Sequence, residues 1–131
     1  MKIVSAVDFS TTSENLLKIT KTYATKLDAE VFLIHDEPEK NFLNEEETDT
    51  RPEAIRLKKD AKALERAGVK VTPVFLQGPV CETILAKALE LKADLIITGA
   101  HGHGGANCKM IGHISECILL KAGIPVLIVP S

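Results

Sequence analysis

An open, doubly wound sheet of five mainly parallel strands, with helices on both faces, is the fold class this sequence predicts. Two observations carry that prediction. Short apolar runs alternate with amphipathic segments along the whole chain, and strands separated by helices pair in parallel. The chain is also 45% hydrophobic but only 4% aromatic, with no Trp. Its core is therefore built from Val, Ile, Leu and Ala, which suits strands covered on both faces. At 131 residues it is expected to form one domain, residues 1–131, around a single core.

The elements follow in order. Ile3-Val4-Ser5-Ala6-Val7 is a short, nearly continuous apolar run and reads as the first strand. Thr11 and Glu14 have capping-box spacing, and Leu16, Ile19, Tyr23 and Leu27 then recur at helical intervals. Val31 to His35 reads as the second strand, and Asp36 to Thr50 as an acidic, polar excursion. Pro52 suits a helix start, where its missing N–H costs nothing. Ala54, Leu57, Ala61 and Leu64 make that helix's apolar stripe, and Gly68 ends it. Val69, Val71, Val74 and Leu76 mark a third strand, with Pro73 indicating a position near an edge. After the Gly78-Pro79 turn, Ile84, Leu85, Ala88 and Leu91 define a third helix, and Leu95 to Thr98 a fourth strand. A last helix carries Ile114, Cys117 and Ile118, ends near Gly123, and leads into Val126 to Val129.

Composition excludes several function classes. A formal charge of −2 leaves no basic face for duplex nucleic acid, and four Phe with one Tyr make a poor base-stacking platform. Cys81, Cys108 and Cys117 have no Cys-x-x-Cys spacing, so neither a disulfide framework nor a structural zinc site is expected. Cys81 and Cys117 read as small core residues on helix faces. No secretory leader pattern opens the chain and no apolar stretch reaches membrane-spanning length, so the expected setting is the reducing cytoplasm.

In open α/β sheets, ligands bind beyond the carboxyl ends of the strands, where neighbouring connections leave in opposite directions. Three segments would converge there: Ala6-Val7-Asp8, His35-Asp36, and the run from Gly99 onward. Gly99-Ala100-His101-Gly102-His103-Gly104-Gly105 holds four glycines in seven residues. Backbone amides free of side chains can converge on an anion, and Gly112 would bring a helix amino terminus to the same place. The same glycines would equally make a plain tight turn. There is no Gly-Lys-Ser/Thr, so this is not the P-loop of the NTPases. Asp8 could accept hydrogen bonds from a sugar hydroxyl or a base amine, although spacing alone favours a turn or helix-start role. His101, His103, His113 and Cys108 include the residue types that hold soft divalent metals, but their spacing suits solvent-facing loop histidines better, and no metal is expected.

Taken together, Ile96-Ile97-Thr98-Gly99-Ala100-His101-Gly102, Gly112, Ser115-Glu116 and Pro125-Val126-Leu127-Ile128-Val129 resemble the universal stress proteins. Val7-Asp8-Phe9-Ser10 and the Gly78-Pro79 turn fit as well, so the resemblance covers the whole chain. It implies a Rossmann-like fold of the adenine nucleotide alpha hydrolase type. Nucleotide-binding members carry a loop of the form G-x2-G-x9-G-[S/T], whose three glycines are matched by Gly99, Gly102 and Gly112. The resemblance implies that these glycines, with His103, line the ribose and phosphates of ATP or AMP, with Mg²⁺. Ala6, Val7, Asp8 and Asp36 would then form the adenosine pocket, Thr98 and Ile114 its wall, and His113 would stand where the family's hydroxyl meets a phosphate. Two positions depart from the family pattern. His113 replaces the small hydroxyl, keeping its backbone N–H, and Asp36 puts a carboxylate where an apolar residue usually meets the base. A homodimer through Val126 to Val129 is also implied.

The expected role is thus a nucleotide-binding regulatory module of the stress response. The alternatives are a dimeric interaction module without a ligand and a metal-responsive protein. No Ser/His/Asp or Cys/His set can be assembled and the loop lacks a phosphate-directed lysine, so no catalytic residues are expected; slow ATP hydrolysis near His113 stays open.

Overall fold

The computed structural model of the chain describes residues 1–9, 13–37, 51–100 and 112–130. Its elements are β1 (Lys2–Ala6), α1 (Ser13–Leu27), β2 (Glu30–Glu37), α2 (Pro52–Arg66), β3 (Val71–Gln77), α3 (Val80–Leu91), β4 (Leu95–Gly99), α4 (His113–Lys121) and β5 (Val126–Val129). The strands form a single five-stranded sheet in the order β3-β2-β1-β4-β5, and every pairing is parallel. β1 is therefore the central strand, with β2 on one side and β4 on the other, and the chain progression reverses between β1 and β4.

The two-residue period of the strands sorts the core into two layers. Ile3, Val31, Leu33 and Ile97 pack with Leu16 and Ala24 of α1 and with Leu57, Ala61 and Leu64 of α2. Their sequence neighbours Val4, Ile34 and Ile96 point the other way and pack with Cys81, Ile84 and Ala88 of α3 and with Ile118 of α4. β3, carrying Pro73, and β5 are the two edges. The α2 stripe matches expectation at all four positions, with Pro52 as its first residue. Gly68 follows that helix with φ +91°, a conformation that side chains rarely adopt. At Gly78 a Cβ would stand 2.6 Å from Thr83 Oγ1, so the turn into α3 requires glycine.

Three expectations are corrected. The buried face of α1 consists of Ser13, Leu16, Thr20 and Ala24, whereas Tyr23 and Leu27 are exposed. The helix is rotated because Ser5, in the middle of the central strand, is fully buried and exchanges a 2.8 Å hydrogen bond with Thr20. An unpaired hydroxyl there would cost about 1–3 kcal/mol. Second, β2 runs on through Asp36 and Glu37, which pair with Leu76 and Gln77 of β3, so the excursion does not begin at Asp36. Third, Ile114 is exposed, and the buried positions of α4 are Ser115 and Ile118. Thr11, the proposed cap of α1, and residues 38–50 lie outside the described residues.

The cysteine expectation is also overturned. Cys81, in the first turn of α3, and Cys117, in α4, are joined by a disulfide with Cα atoms 6.2 Å apart. They are 36 residues apart in sequence, with no diagnostic spacing, and only the packing of α3 beside α4 brings them together. Closing a loop of this length stabilises a fold by about 2–4 kcal/mol. Reduction by a thiol reagent should therefore lower the calorimetric melting temperature by on the order of 10 °C. Cys117→Ser should melt like the reduced native chain. An unchanged melting temperature, with two additional free thiols confirmed by mass spectrometry, would show that the cross-link adds nothing.

Candidate functional site

The carboxyl ends of β1, β2 and β4 bring most of the expected site residues to one edge of the sheet. A single row across the sheet contains Ile34, Ala6, Thr98 and Ile128, set by the pairings Ala6–Ile34, Ala6–Thr98 and Thr98–Ile128. Thr98 is buried in it, and Ala6 half-buried. Val7 continues β1 by donating its N–H to Ile34 O at 2.8 Å. The chain then turns at Asp8 and Phe9, the latter with φ +60°. Asp8 accepts a long hydrogen bond, 3.4 Å, from Ser13 Oγ at the start of α1. Asp8 is half-exposed at the strand end.

On the β4 side, the amino terminus of α4 is strapped to the end of its strand. Gly112 N–H donates to Ala100 O at 2.7 Å, and Ser115 Oγ donates to Gly99 O. Ala100 N–H in turn donates to Val129 O of β5 at 2.8 Å. Gly112 is the N-cap of α4 and contributes no side-chain cap, so the first-turn amides of His113, Ile114 and Ser115 are uncapped by it. They carry the partial positive charge of a helix amino terminus, within reach of the β4 end. His113 and Ile114 are both exposed there. Gly102 and His103, together with His101 and Cys108 of the metal alternative, lie outside the described residues. Among the described residues no cluster of His, Cys, Asp or Glu could hold a metal ion.

Asp36 and His35 are neighbours in β2 and face opposite layers. His35, expected with Asp36 among the converging segments, is tied into this edge through both ring nitrogens. Its Nδ1–H donates to Val7 O at 2.8 Å, and Nε2 lies 2.6 Å from Glu37 Oε1. A carbonyl only accepts, so Nδ1 carries the proton that meets Val7, and Nε2 faces the Glu37 carboxyl group directly. Phe9 stacks on the imidazole at 4.3 Å, Phe75 stands 5.8 Å away, and the Arg56 guanidinium covers Phe9 at 4.7 Å. This assembly fixes the turn that follows β1. The sequence signal for it was the pair of β2 residues at i and i+2, His35 and Glu37, which the period of a strand places side by side.

Asp36 lies one pleat step beyond Ile34, on the sheet face of Ala6 and Thr98. It is 7% exposed, and among the described residues neither carboxylate oxygen has a hydrogen-bond partner. Burial pushes its pKa from 3.8 up to about 6; the charge of His35 opposes the shift and that of Glu37 adds to it. The sign of the linkage follows directly. The folded state holds the proton more tightly than the unfolded chain, so this group favours folding at low pH. That contribution is lost as pH rises from about 4 to about 6, leaving a penalty of up to about 3 kcal/mol at neutral pH. Asp36→Asn should therefore unfold at higher urea concentration than the native chain near pH 7, with the advantage vanishing at about pH 4. Equal unfolding midpoints at both pH values would contradict the penalty.

The comparisons with known proteins agree with this architecture. The model of the universal stress protein family matches residues 1–130. The chain is similar to Universal stress protein MJ0577 of Methanocaldococcus jannaschii, 30% identical over 151 residues that cover 98% of this chain and 93% of the relative. The solved structure of MJ0577 aligns with a TM-score of 0.86 at 32% identity, covering 99% of this chain and 95% of that one. Two further structures share the fold at lower identity. A universal stress protein from Archaeoglobus fulgidus in complex with dAMP aligns with a TM-score of 0.74 at 23% identity, covering 98% and 96% of the two chains. A universal stress protein in complex with cAMP aligns with a TM-score of 0.77 at 18% identity, covering 98% and 95%. With the family model spanning nearly the whole sequence and the parallel sheet reproduced by these structures, the chain belongs to the universal stress protein family.

Proposed function

We propose that this chain binds an adenine nucleotide, ATP or AMP, across the carboxyl ends of β4, β1 and β2, and that occupancy serves a regulatory role in a stress response. One observation carries the reading. The amino terminus of α4, with no side-chain cap among the described residues, is tied by Gly112 and Ser115 to the end of β4, beside the central strand that delivers Asp8. That is a preorganised anion cradle next to a hydrogen-bond acceptor, at the point where the chain progression reverses. Phosphates would lie at Gly99 and Gly112, the sugar near Val7 and Asp8, and the base toward Asp36. Relatives of the same fold solved with dAMP and cAMP support a purine nucleotide as the ligand class.

Binding only to the folded state must stabilise it, so about 1 mM AMP or ATP with Mg²⁺ should raise the melting temperature by several degrees. Gly112→Val sets a branched side chain at the N-cap, over the first-turn amides, and should abolish the nucleotide-dependent rise whatever it does to the ligand-free melting point. No rise with either nucleotide would instead favour a ligand-free interaction module.

The same proposal includes a homodimer through β5, a sheet edge whose apolar residues Val126, Leu127 and Ile128 are only partly covered. Pro125 O and Val129 O accept from β4, so the alternate residues Val126 and Ile128 direct their amides outward. Sedimentation equilibrium should give twice the 14.2 kDa chain mass. Ile128→Pro removes an outward N–H and leaves the pairing with β4, so it should sediment as a monomer; a native chain that sediments as a monomer would remove the dimer.

A further inference from the structure

We infer that Asp36 is a base-reading residue: its buried carboxylate accepts a hydrogen bond from an exocyclic amine of the bound base, so that the site selects an amino-purine over a purine lacking the amine. This inference rests on the nucleotide site proposed above and goes beyond it by assigning the selectivity to one side chain. Three observations carry it. The carboxylate is more than nine-tenths buried, with both oxygens unpartnered among the described residues. A buried ionised acceptor left in that state costs stability, and an arriving donor recovers the cost. Its neighbour shows the contrast, since His35 has both ring nitrogens hydrogen-bonded within the fold.

The second observation is position. Phosphate donors lie at β4, the turn with Asp8 follows β1, and Asp36 ends β2 on the face of Ala6 and Thr98. Adjacent strands are about 4.8 Å apart, so β4 and β2 are separated by about 10 Å. That is the length of a nucleoside phosphate, and a ligand anchored by its phosphate at β4 brings its base to β2. The third is surroundings. The layer beneath Asp36 is apolar, containing Ala6, Ile34, Leu76 and Val80. A flat purine is covered there by hydrocarbon, and the carboxylate is the polar group that fixes its orientation. An ionised carboxylate only accepts, so it rewards a donor on the base edge and repels a ring nitrogen or keto oxygen brought to the same place.

AMP and purine riboside 5′-monophosphate differ at the 6-position by the amine alone, and isothermal titration of the native full-length chain with each isolates that group. AMP should bind at least about tenfold more tightly. Asp36→Val should bring the two dissociation constants together, while Asp36→Asn, which keeps one acceptor oxygen, should retain part of the preference. Both variants remove a buried charge, so their folding is not at risk. Equal affinities in the native chain, or a preference that survives Asp36→Val, would overturn the assignment to Asp36 while leaving the nucleotide site standing. Failure of both ligands to bind would overturn the site itself, and the assignment with it.

Discussion

The central position of β1 is the constraint on which the rest depends. Hydrogen-bonded to β2 and β4 and covered by helices on both faces, it has no free edge and no free face. Its carboxyl end emerges where the connections on either side diverge. Every polar group that concentrates at this end does so because the remainder of the strand is sealed. Even the single polar side chain inside it, Ser5, had to be answered by Thr20, and that answer sets the rotation of α1. The rotation in turn brings Ser13 to Asp8, so a hydroxyl pair in the core and the orientation of a carboxylate at the site belong to one chain of causes.

Much of this was legible in the sequence, because strand and helix periods are local properties. The alternation of elements, the α2 stripe, the edge position of β3 announced by Pro73, and the convergence of Ala6, Asp8, Thr98, Gly99 and Gly112 all follow from patterns a few residues long. What escaped were consequences of tertiary packing. Leu27 and Tyr23 have the right spacing for a buried stripe but lose their place to Thr20. Cys81 and Cys117 carry no mark of being partners until α3 and α4 lie side by side. His35 looked like the end of a strand, and its role in holding Val7 is set by a turn whose φ at Phe9 no pattern announced. Ser115 is similar, since its bond to Gly99 exists only once α4 returns to the strand it left.

The two ends of β2 and β4 solve the same physical problem in opposite ways. At β4, Gly112 N–H is satisfied by Ala100 O and Ser115 Oγ by Gly99 O, and these two bonds hold the start of α4 beside the end of its strand. The disulfide reinforces the arrangement by joining α4 to α3, which follows the strand on the far side of the sheet. A rigid donor edge costs little on ligand arrival, because the ordering has already taken place during folding.

At β2 the accounting is incomplete. His35 is satisfied by Val7 and Glu37, and one residue later Asp36 has no partner among the described residues. The difference does not come from poverty of donors in the protein as a whole, since Arg56 reaches the same end of the sheet and is spent on Phe9, on the opposite layer. Strand alternation makes that separation absolute: a side chain on one face cannot borrow a partner from the other. A fold that needed only stability would carry at Asp36 an apolar residue like Ile34, one pleat step before it, and would lose the pH-dependent penalty. Retaining a desolvated acceptor at the carboxyl end of β2 makes sense when its partner comes from outside the chain, and the layer of hydrocarbon beneath it sets the shape of that partner as flat and largely apolar.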